Sequence, residues 1–471
     1  MKEEMRGERE TRSQLQAELV FKHLVSKIND LSGRLFEIKC AKTPITAIRT
    51  YATEVIVAAS RDDLTVPSYS QRSKSQQTAY LFVGTHWVKA EHQAIIDFTR
   101  EACEKMGLYK VDEESSYANN FIVEQILFKL SKARPISHKA GEVLLNLQNG
   151  TLHISADGTA TLQEHRREDF FTYVLPYGYD PNAGCLMWEK FLNEMLPEPD
   201  KQRILAEFIA YCFCKTIKAE KMLILYGTGA NGKSVVMDVV SQLFGTENVS
   251  NVDLSDLSRN DEKRAQIENK LINISTENDR ELKTGKLKQI ISNEPVDART
   301  LYVGTHTMYN YSRLMASFNQ LPPAEQTHGY FRRFQILEFT KTIQEGQMDL
   351  NLAKKLCTEL PGILNWVIKA MKGFVERGDF SESQSCREAL IKYRERSNSV
   401  ALFVNETCTK CDTPTKGIEL FKAYLRYCSF DRVTACGKQN FYERLEALGY
   451  KKISKANCPH FHLKPNDESA Y

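Results

Sequence analysis

Residues 222–240 read MLILYGTGANGKSVVMDVV, with Gly227, four intervening residues, then Gly232, Lys233 and Ser234. These residue types at this spacing suit one chemistry, the gripping of a nucleotide's phosphates. Glycines let successive backbone N–H groups converge on an anion with no Cβ in the way. The lysine can reach β- and γ-phosphates, and the serine hydroxyl can ligate Mg²⁺. Gly227, Thr228, Gly229, Ala230, Asn231 and Gly232, with Lys233, Ser234 and Val235 behind them, are therefore the candidate set for ATP. The bland alternative is an ordinary glycine-rich turn, and the flanking elements argue against it.

Those elements must aim the loop. Met222–Tyr226 is an uncharged apolar run, long enough for one buried parallel strand. After the loop, Val235, Val236, Val239, Val240, Leu243 and Phe244 make a helical pattern until Gly245. A helix beginning near Gly232 points its positive end at the same anion.

Such a loop needs an acid at the end of a neighbouring strand to hold the metal and polarise water. In NKLINISTENDR, the strand through Leu271, Ile272 and Ile274 ends at Ser275 and Thr276, and Glu277 is the first carboxylate after it. Glu277 is the candidate water-activating acid and, with Ser234, the candidate metal ligand. In RLMASFNQLPP, Asn319 ends a further strand, where a neutral amide can orient water or sense the γ-phosphate. In GYFRRFQILEF, Arg332 and Arg333 precede another apolar strand. In a ring ATPase such an arginine reaches into the neighbour's site and stabilises transition-state charge.

The chain has 471 residues, 42% hydrophobic and 26% charged, so two to four soluble domains are expected. A net charge of +3 means that any nucleic-acid surface is local. The twelve cysteines show no disulfide framework, and the charged start MKEEMRGERETRSQ has no signal-like apolar stretch. No apolar run reaches the length of a membrane span. Together these point to a cytoplasmic protein with no membrane association. Along the chain, residues 1–35 read as an amphipathic helix through Leu15, Leu19, Val20, Leu24 and Ile28, and TEVIVAA at 53–59 as a strand. Residues 61–78 read as a linker, AYLFVGTHWVKA as a hairpin around Gly84, and 91–107 as a helix. Residues 143–163 read as strands turning at Asn149-Gly150 and Asp157-Gly158, and 186–218 as helical.

The order GANGKS, a strand ending in Glu277, LKQIISNEPVDARTLY, a strand ending in FNQLP, then FRRF resembles the motif series of superfamily 3 helicases. The branch it is most similar to is the phage/plasmid and poxvirus-type primase–helicase family, and the likeness extends from about residue 80 to 465. Upstream LLNLQNGTLHI and VLPYGYDPNAGCLMWEKFLNEML, and downstream SVALFVNETC, share in it. The chain departs from the family in carrying Ser292-Asn293-Glu294 where Gly-Gly-Asp is usual, and Thr276 rather than a second acid before Glu277. The resemblance implies an α/β fold: a P-loop AAA+-like ATPase core at 201–395, an α+β domain at 79–200 before it, an N-terminal helical and linker region at 1–78, and a winged-helix-like domain at 396–471. It also implies a homo-oligomeric ring, expected as a hexamer, working on single-stranded and forked DNA with a separate primase or other replication proteins. The stretch before residue 80 is short for a polymerase-type domain, so no primer synthesis is expected of this chain.

In that family a hairpin between the acidic strand and the Asn319 strand enters the ring channel. Here the candidate is VDARTLYVGTHTMYNY, with a turn near Gly304, cations Lys286, Lys288, Arg299 and His306, and Tyr302, Tyr309 and Tyr311. Cations follow phosphates and rings stack on bases, although each tyrosine could equally be core. In the C-terminal region, Ile418, Phe421, Leu425 and Cys428 fall on one helical face. A second helix places Phe441, Leu445 and Leu448 inward and Lys438, Gln439 and Arg444 outward, followed by a wing with Lys451, Lys452 and Lys455. Cys408, on an apolar helical face, with Cys411, Cys458, His460 and His462 raises a zinc site as the lesser possibility; Cys212 and Cys214 read as core. The expected function is an ATP-dependent DNA helicase of a phage, prophage or plasmid replication system. The alternatives are a non-processive DNA-binding ATPase, acting as an initiator or assembly switch, and a signalling NTPase.

Overall fold

The computed structural model describes residues 15–30, 45–66, 79–108, 115–130, 142–155, 158–276, 283–300, 304–322, 325–344, 346, 348–430, 435–455 and 458–466. Its N-terminal part packs helices 15–26, Ile45–Ser60, His92–Lys105 and Ser115–Lys129 around an antiparallel sheet of β1 (Leu64–Thr65), β2 (Ala79–Phe82) and β3 (Trp87–Ala90). The β2–β3 turn holds Gly84 at φ +92°, as the hairpin reading requires.

Three expectations fail in this part. Residues 61–66 of the expected linker contain β1, with Leu64, Thr65 and Val66 buried, while 67–78 lie outside the described residues. TEVIVAA is not a strand but the second half of helix Ile45–Ser60. Its β-branched run favours a strand by propensity, yet Ile48, Ala52, Ile56 and Ser60 recur every four residues and all are buried. Thr53 and Ser60 turn their hydroxyls back onto the Arg49 and Ile56 carbonyls, which removes their competition with the helical backbone. In the first helix Leu15 and Leu19 are exposed, and the buried stripe runs through Phe21, Leu24 and Ile28. The rest of the expected helix over 1–35 lies outside the described residues apart from 27–30, which are not helical.

A second antiparallel sheet, β4 (Val143–Leu147), β5 (Gly150–Ile154) and β6 (Ala160–Gln163), turns at Asn149-Gly150 as expected, while Asp157 of the other expected turn lies outside the described residues. Buried Asn146 on β4 donates to the Thr85 and Tyr173 carbonyls, which ties this sheet to the β2–β3 hairpin. The apolar core that begins at Val143 runs on through helices Leu186–Met195 and Pro199–Phe213 into the central sheet, whereas the core built from Phe21 to Leu130 is separate. Cys212 and Cys214 are buried in that larger core, where burial pushes both thiols up to about 12.

The central sheet is parallel throughout. It contains β7 (Met222–Tyr226), β8 (Val249–Ser250), β9 (Ile272–Ser275), β12 (Arg313–Phe318) and β13 (Phe334–Glu338) in the spatial order β13-β7-β12-β9-β8. The Asn319 strand thus lies between the phosphate-loop strand and the Glu277 strand. Beside the sheet stands the antiparallel hairpin β10 (Val296–Thr300) and β11 (Gly304–Met308).

The C-terminal part runs helix Ser399–Thr407, β14 (Cys408–Lys416), helices Gly417–Phe430 and Lys438–Ala447, β15 (Ile453–Lys455) and β16 (Cys458–Pro465), with sheet order β14-β16-β15. Its inward face differs from the expected one. Ile418 and Leu425 are exposed and Phe421 is half-buried, while Leu420, Tyr424, Tyr427 and Cys428 fill the core. The buried stripe is displaced by one position because two tyrosines, ambiguous in sequence, belong to it. Leu448 is also exposed, since it caps its helix rather than facing inward.

Candidate active site

The loop from Gly227 to Gly232 leaves the C-terminal end of β7, flanked by β13 and β12. In open parallel sheets that edge is where ligands sit. Gly227 donates its N–H to the Phe318 carbonyl, which pins the loop's first residue to β12. A Cβ on Gly227 would run into Asn231 Nδ2 and stand 2.5 Å from the Phe339 oxygen, so only glycine fits there. Asn231, buried, donates to that same Phe339 oxygen at 3.3 Å. Gly232 takes φ +81° as the cap of helix Lys233–Phe244. The first N–H groups of a helix lack intrahelical acceptors and carry the positive end of the dipole.

Lys233 is 5% exposed. Its Nζ donates to the Gly227 oxygen at 2.6 Å, to Asn231 Oδ1 at 2.8 Å and to Asn319 Oδ1 at 3.2 Å. The loop, the lysine and Asn319, 86 residues apart, therefore meet at one point. Thr228, Ala230 and Ser234 are exposed beside them, and Gly229 has open space where a Cβ would stand. The cradle and the exposed Ser234 hydroxyl fit a nucleotide's phosphates and a divalent cation. Glu277 lies outside the described residues; β9, which leads to it, ends at Ser275.

Arg332 and Arg333 are not brought to this edge. The Arg333 backbone carbonyl accepts the N–H of Met222, at the opposite end of β7. Five residues of strand separate the two ends, roughly 15 Å at about 3.3 Å per residue. The two arginines also differ. The Arg333 side chain is 11% exposed, and its guanidinium donates to Ser292 Oγ at 3.0 and 2.9 Å and to the Gly329 carbonyl. Arg332 is 46% exposed and pairs with Glu220 at 2.7 Å. Glu220 and Ser292 were missed in the sequence; Ser292 had a signal, since it stands where the family pattern has glycine.

In the hairpin, β10 and β11 pair from Val296↔Met308 to Thr300↔Gly304, and residues 301–303, Tyr302 among them, lie outside the described residues. Tyr309 is 72% exposed, whereas Tyr311 is core and donates its hydroxyl to the Glu294 carbonyl. The candidate DNA cations all have partners. Lys288 contacts both Glu325 oxygens at 3.0 Å, His306 meets Glu268 at 3.1 Å, Arg299 lies 3.8 Å from Glu262, and Lys286 donates to Gln289. Hydrogen bonds from Thr284, Lys288 and Thr327 outweigh burial and hold the Glu325 carboxyl below its ordinary range.

In the C-terminal part Lys438, Lys451 and Lys452 are exposed and Arg444 is half-buried. The zinc reading fails on geometry. Cys408 is the first residue of β14, not part of a helical face, and pairs with Pro465 at one end of β16, while Cys458 opens the other end, roughly 20 Å away at about 3.3 Å per residue. Among the described residues no cluster of three or more His, Cys, Asp or Glu could hold a metal ion.

Residues 71–197 match a family model described as "D5 N terminal like", and residues 225–333 match one described as "Family of unknown function (DUF5906)". The second match begins inside β7 and ends on Arg333, so it encloses the phosphate loop, the hairpin and Asn319. The D5-like match relates the chain to phage and plasmid primase–helicases, and thereby to phage DNA replication. No curated protein matches. Among solved structures, the apo C-terminal region of NrS-1 in its A form is 12% identical, with a TM-score of 0.38 over 68% of this chain and 95% of that one. Two further apo structures of that region give TM-scores of 0.35 and 0.36 at 11% and 12% identity, each over 60% of this chain and 76% of the other. Among the described residues, no helix is long and apolar enough to cross a membrane.

Proposed function

We propose that this chain is an ATP-dependent DNA helicase of a phage, prophage or plasmid replication system, built on an AAA+-like P-loop core and working as a hexameric ring on single-stranded DNA. The observation that carries the reading is the sheet order β13-β7-β12-β9-β8 with Lys233 and Asn319 in contact at its C-terminal edge. A strand inserted between the phosphate-loop strand and the acid-bearing strand gives Asn319 a view of the γ-phosphate and of the water that Glu277 activates. Lys233 exchanges its loop acceptors for phosphate oxygens and stabilises charge on the transferred group. Ser234 and Glu277 would hold a Mg²⁺ ion, which would supply charge neutralisation to the nucleotide's phosphates. Thr228, Gly229, Ala230 and Val235 line the approach to the helix N-terminus. Arginines at the far end of β7 cannot serve their own subunit's loop, and a ring supplies them to the neighbour's. The hairpin, with Tyr309 exposed, faces single-stranded DNA, and the helix–strand–helix–helix–strand–strand order of residues 399–465 supports a winged-helix module that binds duplex through Lys438, Arg444, Lys451 and Lys452.

The test is displacement of one strand from a forked duplex, with ATP and with an analogue that is not hydrolysed. Displacement with ATP only is expected, and Glu277→Gln should bind ATP without turnover. DNA-stimulated hydrolysis without displacement would overturn the helicase and favour the initiator or assembly switch. Hydrolysis indifferent to DNA would favour a signalling NTPase.

A further inference from the structure

Two adjacent arginines precede β13, and their surroundings assign them different tasks. The Arg333 side chain is 11% exposed; its guanidinium spans Ser292 Oγ and the Gly329 carbonyl of the turn it leaves, and its Nη2 stands 3.9 Å from Glu220 Oε2, beyond hydrogen-bond reach. A group so enclosed is a clamp between the Ser292 turn and β13. Arg332 is half exposed and has one strong partner, Glu220 Oε2 at 2.7 Å. Glu220 sits on the segment entering β7, 112 residues away in sequence, and takes φ +54°. A non-glycine residue in the left-handed region is a strained choice, held only when surrounding contacts determine it. Here Lys221, its neighbour, donates to the Arg332 carbonyl, so the segment grips Arg332 at both ends.

We propose that Glu220 is a positioning residue for the trans arginine. Its carboxylate occupies the guanidinium of Arg332 as a stand-in for a phosphate, and holds the side chain until the nucleotide of an adjoining copy displaces it. This rests on the reading of a site shared between subunits, and it deepens that reading by naming Arg332 as the arginine that crosses. A carboxylate and a phosphate compete for the same guanidinium, because both present paired anionic oxygens to its N–H groups. Glu220 therefore opposes the productive contact and raises the protein concentration at which sites between subunits become active.

The test uses mixed full-length chains. Lys233→Ala chains supply an intact arginine but no working loop, and Arg332→Ala chains supply the reverse, so hydrolysis in the mixture comes from mixed interfaces. Glu220→Gln placed on the Lys233→Ala chain should lower the concentration for half-maximal hydrolysis severalfold. The same substitution on the Arg332→Ala chain should leave that concentration unmoved, since the arginine that chain keeps, Arg333, is held by Ser292 and not by Glu220. A merely structural Glu220 would act equally in both placements, and that result, or no shift in either, overturns the inference while leaving the shared site standing. If the Lys233→Ala and Arg332→Ala chains fail to complement at all, the shared site itself falls and the inference with it. As a check on folding, Glu220→Gln should move the thermal midpoint by only about 2 °C, whereas Arg333→Ala should lower it clearly, as expected of a clamp. If Arg332→Ala leaves hydrolysis at the unsubstituted rate and Arg333→Ala slows it with no thermal cost, the assignment of the two arginines is reversed.

Discussion

The loop edge of the central sheet, and the hairpin with the helix Thr284–Ile291 that leads into it, carry the same kind of residue, a cation proposed to meet phosphate, in opposite settings. Lys233 is buried, and among its described contacts Gly227, Asn231 and Asn319 each offer it a neutral oxygen. A phosphate can replace neutral oxygens at small electrostatic cost. Lys288, Arg299 and His306 are half-buried or exposed, and each is matched with a glutamate. Under the proposed function, DNA would have to compete with those carboxylates, so the first region would take up its ligand in exchange for those neutral oxygens and the second only in exchange for a charged partner.

The strongest way to break that comparison is at the phosphate edge. Lys233→Ala should reduce steady-state ATP hydrolysis below detection with the circular dichroism spectrum unchanged; hydrolysis at the original rate would mean that the loop is not the working site. Next in size, an Arg332→Ala,Arg333→Ala chain should bind ATP nearly normally yet hydrolyse it about 10³-fold or more slowly, the size of effect known for arginines acting in trans. Normal hydrolysis by that chain would place the whole reaction within one subunit.

The contrast also explains what the sequence could reveal. Around Lys233 the information is local: glycines at fixed spacing, a strand before and a helix after dictate the loop, so residues 222–245 fold as that pattern requires. Asn319 was legible because it ends an apolar run, and β12 delivers it to the lysine. The hairpin was legible as a shape, from the family resemblance and Gly304, but its electrostatics were not. Glu325 lies 37 residues after Lys288, and Glu268 lies 38 before His306, and no local rule pairs them. Glu220 and Arg332 are separated further still. Helix Ile45–Ser60 escaped for another reason: propensity and periodicity disagreed, and packing against helices Ser115–Lys129 and His92–Lys105 in a shared core settled the contest.

A smaller effect tests whether the C-terminal cations behave like those of the hairpin. Lys451 and Lys452 are exposed. Lys451→Ala,Lys452→Ala should weaken duplex binding at every sequence. It should also flatten the plot of log affinity against log salt by about 0.9 for each phosphate no longer neutralised, roughly 2 for the pair. Unchanged affinity and slope at matched salt would turn this module toward protein contact.

The smallest expected effect is the sharpest on the comparison itself. If Glu325 competes with DNA for Lys288, then Glu325→Gln should raise affinity for single-stranded DNA severalfold at low salt while leaving ATP affinity alone. Acid is a poor substitute for this mutation. The hydrogen bonds from Thr284, Lys288 and Thr327 hold the Glu325 proton off until the pH is below the usual carboxylate range. Meanwhile His86, with its pKa lowered to about 4 by burial and by nearby His165, penalises folding earlier. Between about pH 6.5 and 4 the unfolded chain takes up a proton at this histidine that the folded chain refuses, so stability falls as pH falls, by about 3 kcal/mol if the whole shift is counted. The fold is thus weakened before the carboxylate lets go, and only the neutral isostere releases Lys288 at neutral pH. Equal single-strand affinity for Glu325→Gln and the unsubstituted chain, measured at one low salt concentration, would show that the carboxylate is no competitor. The hairpin would then be as ready for its ligand as the phosphate edge, and the contrast between the two regions would vanish.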